Sequence, residues 1–437
     1  MTDMDLFAAL PLFWEESMKR IARLALVLGT TMLMTSIGHA EQKTFKIWWF
    51  EEPTTAQGIV WKEALEEFKT KHPDVSVSFE QKTFQQLQAA GGMILNSDQA
   101  PDVLEYNKGN ATAGLVASQG LLTNLDDYVK KEGWDKILNE GDLVLSRYDE
   151  KGIYGSGPVW GVSVFGEYVS CFYNIDMFEK AGLKPPSTLE EWVAAMEAFK
   201  QKGLTPLALG AIDTSGQHLL ASLAYTKADD AWVQNYQGLK APLDGAPYLY
   251  AAQTLVDWVG KGYINKDSTG MKDPDAALLF TSGKAPMYVS GTWNLGTFAS
   301  TIKDFKWGQF VIPTPKYSVG STGNLWVVPK ASKSPDLAAE WISLTLSPKY
   351  QAALANAGGV PIAADPAAIT NPIGKNAAAV FKQISDKSGL GFYPDWPVPG
   401  YYDVLNQKDT GLFQGSLTAD QFIEQIKQVY DDAQENQ

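Results

Sequence analysis

The sequence predicts an α/β protein, and three observations carry that expectation. Apolar strand-like runs alternate with amphipathic helix-like runs in the order β-α-β-α-β over residues 45–104, which calls for a largely parallel sheet. A Gly/Pro-rich stretch, 152–161, reads as a crossing into a second region of the same kind. Polar and aromatic residues recur where the strands run out, which is where ligands sit in open α/β sheets.

The first strand is the run from Phe45 to Phe50, cut off by Glu51, Glu52 and Pro53. Val60, Ala64, Leu65 and Phe68 then recur at helical spacing. Val75 to Phe79 alternates as a second strand, and Leu87, Met93, Ile94 and Leu95 mark a second helix. Pro101-Asp102-Val103-Leu104 opens a third strand that ends in Glu105-Tyr106-Asn107, and residues 110–118 form a small-residue helix. Beyond the crossing, Val162 to Tyr173 reads as one long aromatic strand ending at Asn174. Ser187-Thr188-Leu189-Glu190 opens a helix with Trp192, Ala195, Met196 and Phe199 on one face. Strands follow at Leu207–Leu209, Pro286–Val289 and Trp307–Ile312, and Leu325–Val328 returns across the boundary. Ser334-Pro335-Asp336 starts a helix, and an aromatic, Pro-rich loop from Tyr393 to Tyr401 precedes the last helices.

The chain has 437 residues, but its first 40 are not expected to fold. Lys19, Arg20 and Arg23 form a basic region, Leu24–Leu33 a short apolar core, and Gly38-His39-Ala40 a small-x-small cleavage site. That is a secretory signal peptide over 18–40, too short for a membrane span. It begins naturally at Met18, so residues 1–17 read as a misassigned upstream start. Maturation at Glu41 leaves no lipid-bearing cysteine, and the expected location is the periplasm. The only cysteine is Cys171, in an apolar run, so no intrachain disulfide forms and a buried inert thiol is expected. A net charge of −14 argues against nucleic acid and anionic membrane surfaces as partners.

Signals for catalysis are weak. His72 and His218 are the histidines beyond the leader. No zincin, nucleophile-elbow, P-loop or dinucleotide fingerprint occurs, and no zinc or calcium ligand spacing is present, so neither cofactor nor metal is expected. A glycosidase needs only two suitably spaced acids, and no pair stands out. What remains is binding equipment at strand exits. Trp48 and Trp49 offer indole faces beside Glu51, and a flat apolar face suits the C–H side of a sugar ring while a carboxylate accepts its hydroxyls. Glu167 is a lone charge in an apolar strand, costly unless partnered. Tyr106, Asn107, Gln217, His218, Trp293, Asn324, Trp396 and Tyr401 complete the candidates. Each has a purely structural alternative: core packing for the aromatics, caps or turns for Asn107, Asn324, Gln217 and His218.

Five stretches together resemble the extracellular solute-binding proteins of carbohydrate ABC importers, the maltose-binding type. They are IWWF; APDV followed by a small-residue helix and GLL; GVSVFGEYVSCFYNIDMFEKAG with PPSTLEEW; SGTWN; and SPKYQAALANAGGVPI. Tyr173, Asn174, Phe178 and Lys180 form the most specific of these motifs; Cys171 departs mildly from it. The resemblance implies the two-lobe periplasmic binding protein fold, with parallel-rich sheets in each lobe and a hinge between them. One lobe would comprise 41–160 and 325–370, the other 161–324 and 371–437. It implies a sugar held in the cleft by Trp48, Glu51, Tyr106, Asn107 (or Asn110), Glu167, Gln217, His218, Trp293, Asn324, Trp396 and Tyr401. It implies a monomer that closes by hinge motion, docks on inner-membrane permeases and catalyses nothing. The alternatives are a glycoside hydrolase or lyase on a similar scaffold, or a receptor for a polyol, glycerophosphodiester or polyamine.

Overall fold

The computed structural model describes residues 43–138 and 140–437; the expected upstream start, signal peptide and cleavage point lie outside the described residues. Twelve strands occur among them: β1 (Lys43–Trp49), β2 (Val75–Gln81), β3 (Val103–Tyr106), β4 (Arg147–Tyr148), β5 (Tyr154–Val159), β6 (Gly161–Ser163), β7 (Glu167–Asn174), β8 (Leu207–Ala208), β9 (Met287–Gly291), β10 (Trp307–Val311), β11 (Gly320–Ser321) and β12 (Leu325–Val327). They build two principal sheets, one per lobe, each packed between apolar clusters on its two faces.

The first sheet runs β2-β1-β3-β12-β6. β1 pairs in parallel with β2, Lys43 opposite Val75, and with β3, Ile47 opposite Val103. Alternation along β1 sends Phe45, Ile47 and Trp49 into the cluster beneath the helix Ala56–Lys71. Thr55 caps that helix by accepting from the Gly58 N–H at 3.0 Å. Its buried stripe of Val60, Trp61, Ala64, Leu65 and Phe68 matches the sequence pattern and adds Trp61.

The second sheet runs β10-β7-β9-β8. Along β7, Val169 and Cys171 face one cluster, while Tyr168 and Phe172 face the other. The two-lobe α/β class stands, but the pairing is more mixed than parallel-rich. β12 runs antiparallel to both β3 and β6, and β7 runs antiparallel to both β9 and β10. A strand that passes between lobes enters its sheet from the far side, so it runs against the βαβ units already there.

The crossings also differ from the sequence reading. Residues 154–159 pair with 147–148 inside the first lobe. Their glycines serve that hairpin: Gly152, Gly155 and Gly157 take φ of +81°, +102° and +85°. The expected single strand 162–173 is two, because β6 joins the first sheet and β7 the second. The break falls at Val164–Gly166, where the Gly166 N–H donates to the Val360 carbonyl at 2.8 Å. A second crossing, Thr322–Asn324, links β11 to β12 beside it, and Gly323 (φ +72°) leaves room for the Phe165 ring. Past Val360 the chain goes to the helix Pro372–Asp386, whose Ala377, Phe381 and Ile384 pack with Phe172 and Tyr288 of the second lobe.

Candidate functional site

The lobes meet over buried polar groups. Glu51 follows β1, Glu105 lies in β3, and Glu167 begins β7 at the first crossing; all are at least nine-tenths buried. They converge. Burial comes first, then the charges of Glu105 and Glu167, in raising Glu51 well above the carboxylate range. Burial likewise lifts Glu105 to about 8 and Glu167 to about 7. Glu105 Oε2 accepts the Phe50 N–H at 3.2 Å, and no N–H or neutral hydroxyl reaches its Oε1. The Glu51 carboxyl hydrogen-bonds to Glu105, which requires a shared proton. Burial and the two neighbouring carboxyls push Glu51 toward its neutral form.

Lys108 is the cation of this zone. It is fully buried and donates to Thr322 Oγ1 on the second crossing, and burial lowers it to about 7. Ser321 Oγ donates to Glu167 Oε1 at 3.2 Å, and the Tyr393 hydroxyl lies close enough to feel that carboxyl's charge. The acidic cluster thus touches both lobes and two crossings at once.

Opposite lies an aromatic face. The His218 ring meets Trp293 edge-on at 5.8 Å and Tyr393 at 5.1 Å, and Tyr393 meets Trp396 at 5.5 Å. Burial pushes His218 down to about 3, so it is neutral, and its Nδ1 has no partner; neither has Trp396 Nε1. Trp293 sits past the exit of β9, half-buried, its ring folded back over Gly291, where any Cβ would collide with it. Behind it, Asn294 Nδ2 donates to Ser290 Oγ (2.9 Å), and Ser290 Oγ donates to Asp273 Oδ2 (3.1 Å).

The remaining candidates fall elsewhere. Trp49 is core: it stacks on Phe79 at 5.0 Å, as the alternation of β1 requires. Tyr401 is core too, its hydroxyl donating to the Ile426 carbonyl at 3.0 Å. Both depart from the expected ligand contacts. Trp48 carries the Lys82 ammonium 4.1 Å from its ring centroid. The Tyr106 ring packs against Gly91 in the first-lobe core. Gln217 Nε2 donates to Asn406 Oδ1 at 2.8 Å, and Asn324 is buried in the second crossing. Asn107 accepts the Thr112 hydroxyl through its backbone carbonyl at 2.9 Å. Its alternative, Asn110, is the clasp: Nδ2 donates to the Gln237 carbonyl of the second lobe at 3.0 Å, while Oδ1 accepts the Tyr154 N–H at 3.0 Å.

Sequence reasoning missed Glu105, Lys108 and Tyr393 as partners in the cleft. The signal for Glu105 was available, since it stands in the same strand end as Tyr106. Among the described residues no group of acids, histidines or cysteine is arranged to hold a metal ion.

Two lobes joined by crossings, with polar and aromatic groups lining their junction, have the build of a solute-binding protein. The sequence profile of bacterial extracellular solute-binding proteins matches residues 52–352, and the chain belongs to that family. A probable sugar-binding periplasmic protein of Brucella suis is 25% identical over 324 residues, 71% of this chain and 74% of that one. The diacetylchitobiose binding protein of Streptomyces coelicolor is 26% identical over 81% of each chain. The match to a probable sugar-binding periplasmic protein of Rhizobium meliloti is shorter, spanning 43% of this chain and 44% of that one. Among solved structures, a chitin oligosaccharide binding protein superposes with a TM-score of 0.77, covering 90% of this chain and 99% of that one at 21% identity. These relatives are binding proteins, not enzymes.

Proposed function

We propose that this chain is the periplasmic receptor of an ABC importer, taking a sugar into the interlobe cleft and presenting its closed form to the permeases. The observation that supports this most directly is the pairing of the two faces. Rings of His218, Trp293, Tyr393 and Trp396 stand on one lobe, and hydrogen-bonding acids Glu51, Glu105 and Glu167 on the other and at the hinge. A pyranose needs both, a ring for its C–H face and polar groups for its hydroxyls. The ligand set is therefore Glu51, Glu167, His218 and Trp293 with Trp396, enlarged by Glu105 and Tyr393.

Catalysis is not part of this reading. Glu51 and Glu105 are hydrogen-bonded to each other. Glycosidases hold their two carboxyls about 5–10 Å apart, on either side of the scissile bond. The receptor acts as an exported monomer, released from its leader before Glu41. Intact-mass measurement on periplasmic extract checks that, and a retained leader or an acyl chain refutes it.

The deciding experiment is a thermal-shift screen over sugars, polyols and polyamines, followed by calorimetry and product analysis. A ligand at 100 times its Kd stabilises the folded state by about 2.7 kcal/mol. Stabilisation by a sugar that is recovered unchanged supports the receptor; turnover of the sugar overturns it.

A further inference from the structure

We propose that the outer end of the interlobe cleft, where the helix Phe84–Leu95 faces residues 395–403, is a compartment for an amine-bearing sugar unit. This rests on the sugar-receptor reading and goes beyond it by naming the charge of the cargo. A cavity of about 250 Å³ lies there between the lobes. Gln85, Gln88 and Thr112 of the first lobe and Asp395, Tyr402 and Asp403 of the second line it. Sites for drug-sized ligands run to roughly 300–1,000 Å³, so this space suits a single sugar ring.

Its chemistry is one-sided. The Asp395 carboxyl is buried, burial raises it to about 7, and the one hydrogen bond that steadies it comes from its own backbone N–H. The Tyr402 hydroxyl, partnered by Asn406, feels the carboxyls of Asp213, Asp395 and Asp403. Asn406 Oδ1 takes the Gln217 Nε2 donor at 2.8 Å, and this leaves the buried Gln217 Oε1 without a partner. No Lys or Arg lines the cavity.

A buried carboxylate is unfavourable until a cation pairs with it. Lys108, the buried lysine of the cleft, is held by Thr322 at the hinge. A sugar ammonium supplies both the missing charge and several donors to a lining rich in acceptors. A neutral sugar supplies hydroxyl donors without the charge. A uronic acid or sugar phosphate meets like charge and is excluded.

The test uses the mature chain and isothermal calorimetry with matched probes. These are glucosamine, N-acetylglucosamine, glucose and glucuronate, the corresponding galactose series, and the β-1,4-linked glucosamine disaccharide against its acetylated form. The amine member of at least one set is expected to bind about tenfold or more tighter than its neutral partner, as a charge-assisted bond requires. The acidic members are expected not to bind. Asp395→Asn is expected to abolish the preference for amine, read as the ratio of amine to neutral-sugar affinity measured in the same variant. Should that variant fail to fold, Asp403→Asn, at an exposed position on the same rim, is expected to reduce the preference in the same direction. Equal or weaker binding of every amine relative to its neutral partner overturns the inference and leaves a neutral-sugar receptor standing. A preference that survives in a folded Asp395→Asn variant overturns the compartment. Absence of binding by every sugar overturns this inference and the receptor reading together.

Discussion

The two faces of the cleft are built from opposite materials. The second lobe offers rings: His218 meets Trp293 edge to face and Tyr393 at a tilt, Tyr393 meets Trp396 at a tilt, and burying their apolar faces is favourable whatever the charge state nearby. The first lobe and hinge offer acids: Glu51, Glu105 and Glu167 crowd together, Glu167 alone of them with a lysine, Lys108, among its partners, and their burial is unfavourable while they are ionised. The aromatic face can therefore stay assembled whether or not the cleft is closed. The acidic face closes only by holding protons or by finding donors. Rings set the shape of the cargo, and acids set the conditions for closure.

The largest effect separates ring from ring. Trp49→Ala empties a core position and is expected to cost about 3–5 kcal/mol of ligand-free stability, read by urea unfolding. Trp293→Ala is expected to leave that stability nearly unchanged and to weaken sugar binding by about 2 kcal/mol, in the range of aromatic anchors. A large stability loss at Trp293 with intact affinity would return it to the core and break the contrast between faces.

That contrast was only partly legible in the sequence. Alternation along β1 predicts that Trp48 and Trp49 point to opposite sides, but not which side meets helices; the register against β2 and β3 decides that. The order of strands and helices was readable because apolar periodicity is local. The crossings were not, since glycines at positive φ in the 152–159 hairpin look like a linker when read along the chain. Glu51 and Glu167 stood out as charges at strand ends, whereas the protonation they share with Glu105 depends on a convergence from three separate segments. Tyr401 beside the cleft loop and Tyr393 within it are alike in sequence; the fold turns the first to Ile426 and the second to Glu167.

A smaller effect tests the clasp between the faces. Asn110→Ala removes the bond to the Gln237 carbonyl and the one from the Tyr154 N–H. Only the first bridges the lobes, and it contributes about 1 kcal/mol, so affinity is expected to fall by roughly fivefold, mainly through faster release of the ligand. Unchanged release would place the holding force elsewhere.

The acidic face also makes closure depend on pH, and the sign follows from Glu105. Its carboxyl is raised from 4.5 to about 8, so between those values the closed form binds more protons than the unfolded chain. Its contribution is fully present below about pH 4.5 and is lost as pH rises through about 8. Lys108, lowered to about 7, and His218, lowered to about 3, act with the opposite sign in their own windows, 7–10.5 and 3–6.5. The difference between wild type and Glu105→Gln isolates the acid. Wild type is expected to lose thermal stability relative to the variant between pH 5 and 8.5, by an amount limited because opening the cleft rehydrates the carboxyl. Parallel pH profiles for the two proteins would show that Glu105 titrates normally.

The smallest effect is expected at Glu51. Glu51 lies against two other carboxyls, and burial together with their charges raises it well above the usual range. A glutamine in its place has nearly the same shape and offers an N–H where the acid offers an O–H. Glu51→Gln is therefore expected to shift sugar affinity by less than about 1 kcal/mol. Glu167→Gln, at the carboxyl raised only to about 7 and held by Ser321, removes an ionisable acceptor and is expected to weaken binding by about 1.5–3 kcal/mol. Calorimetry on both variants with the sugar found by screening reads the difference directly. Equal losses would mean that Glu51 meets the ligand as a carboxylate, and that the sugar's own donors draw off its proton on binding. In that case binding releases protons, and titrations repeated in buffers of different ionisation enthalpy would detect them.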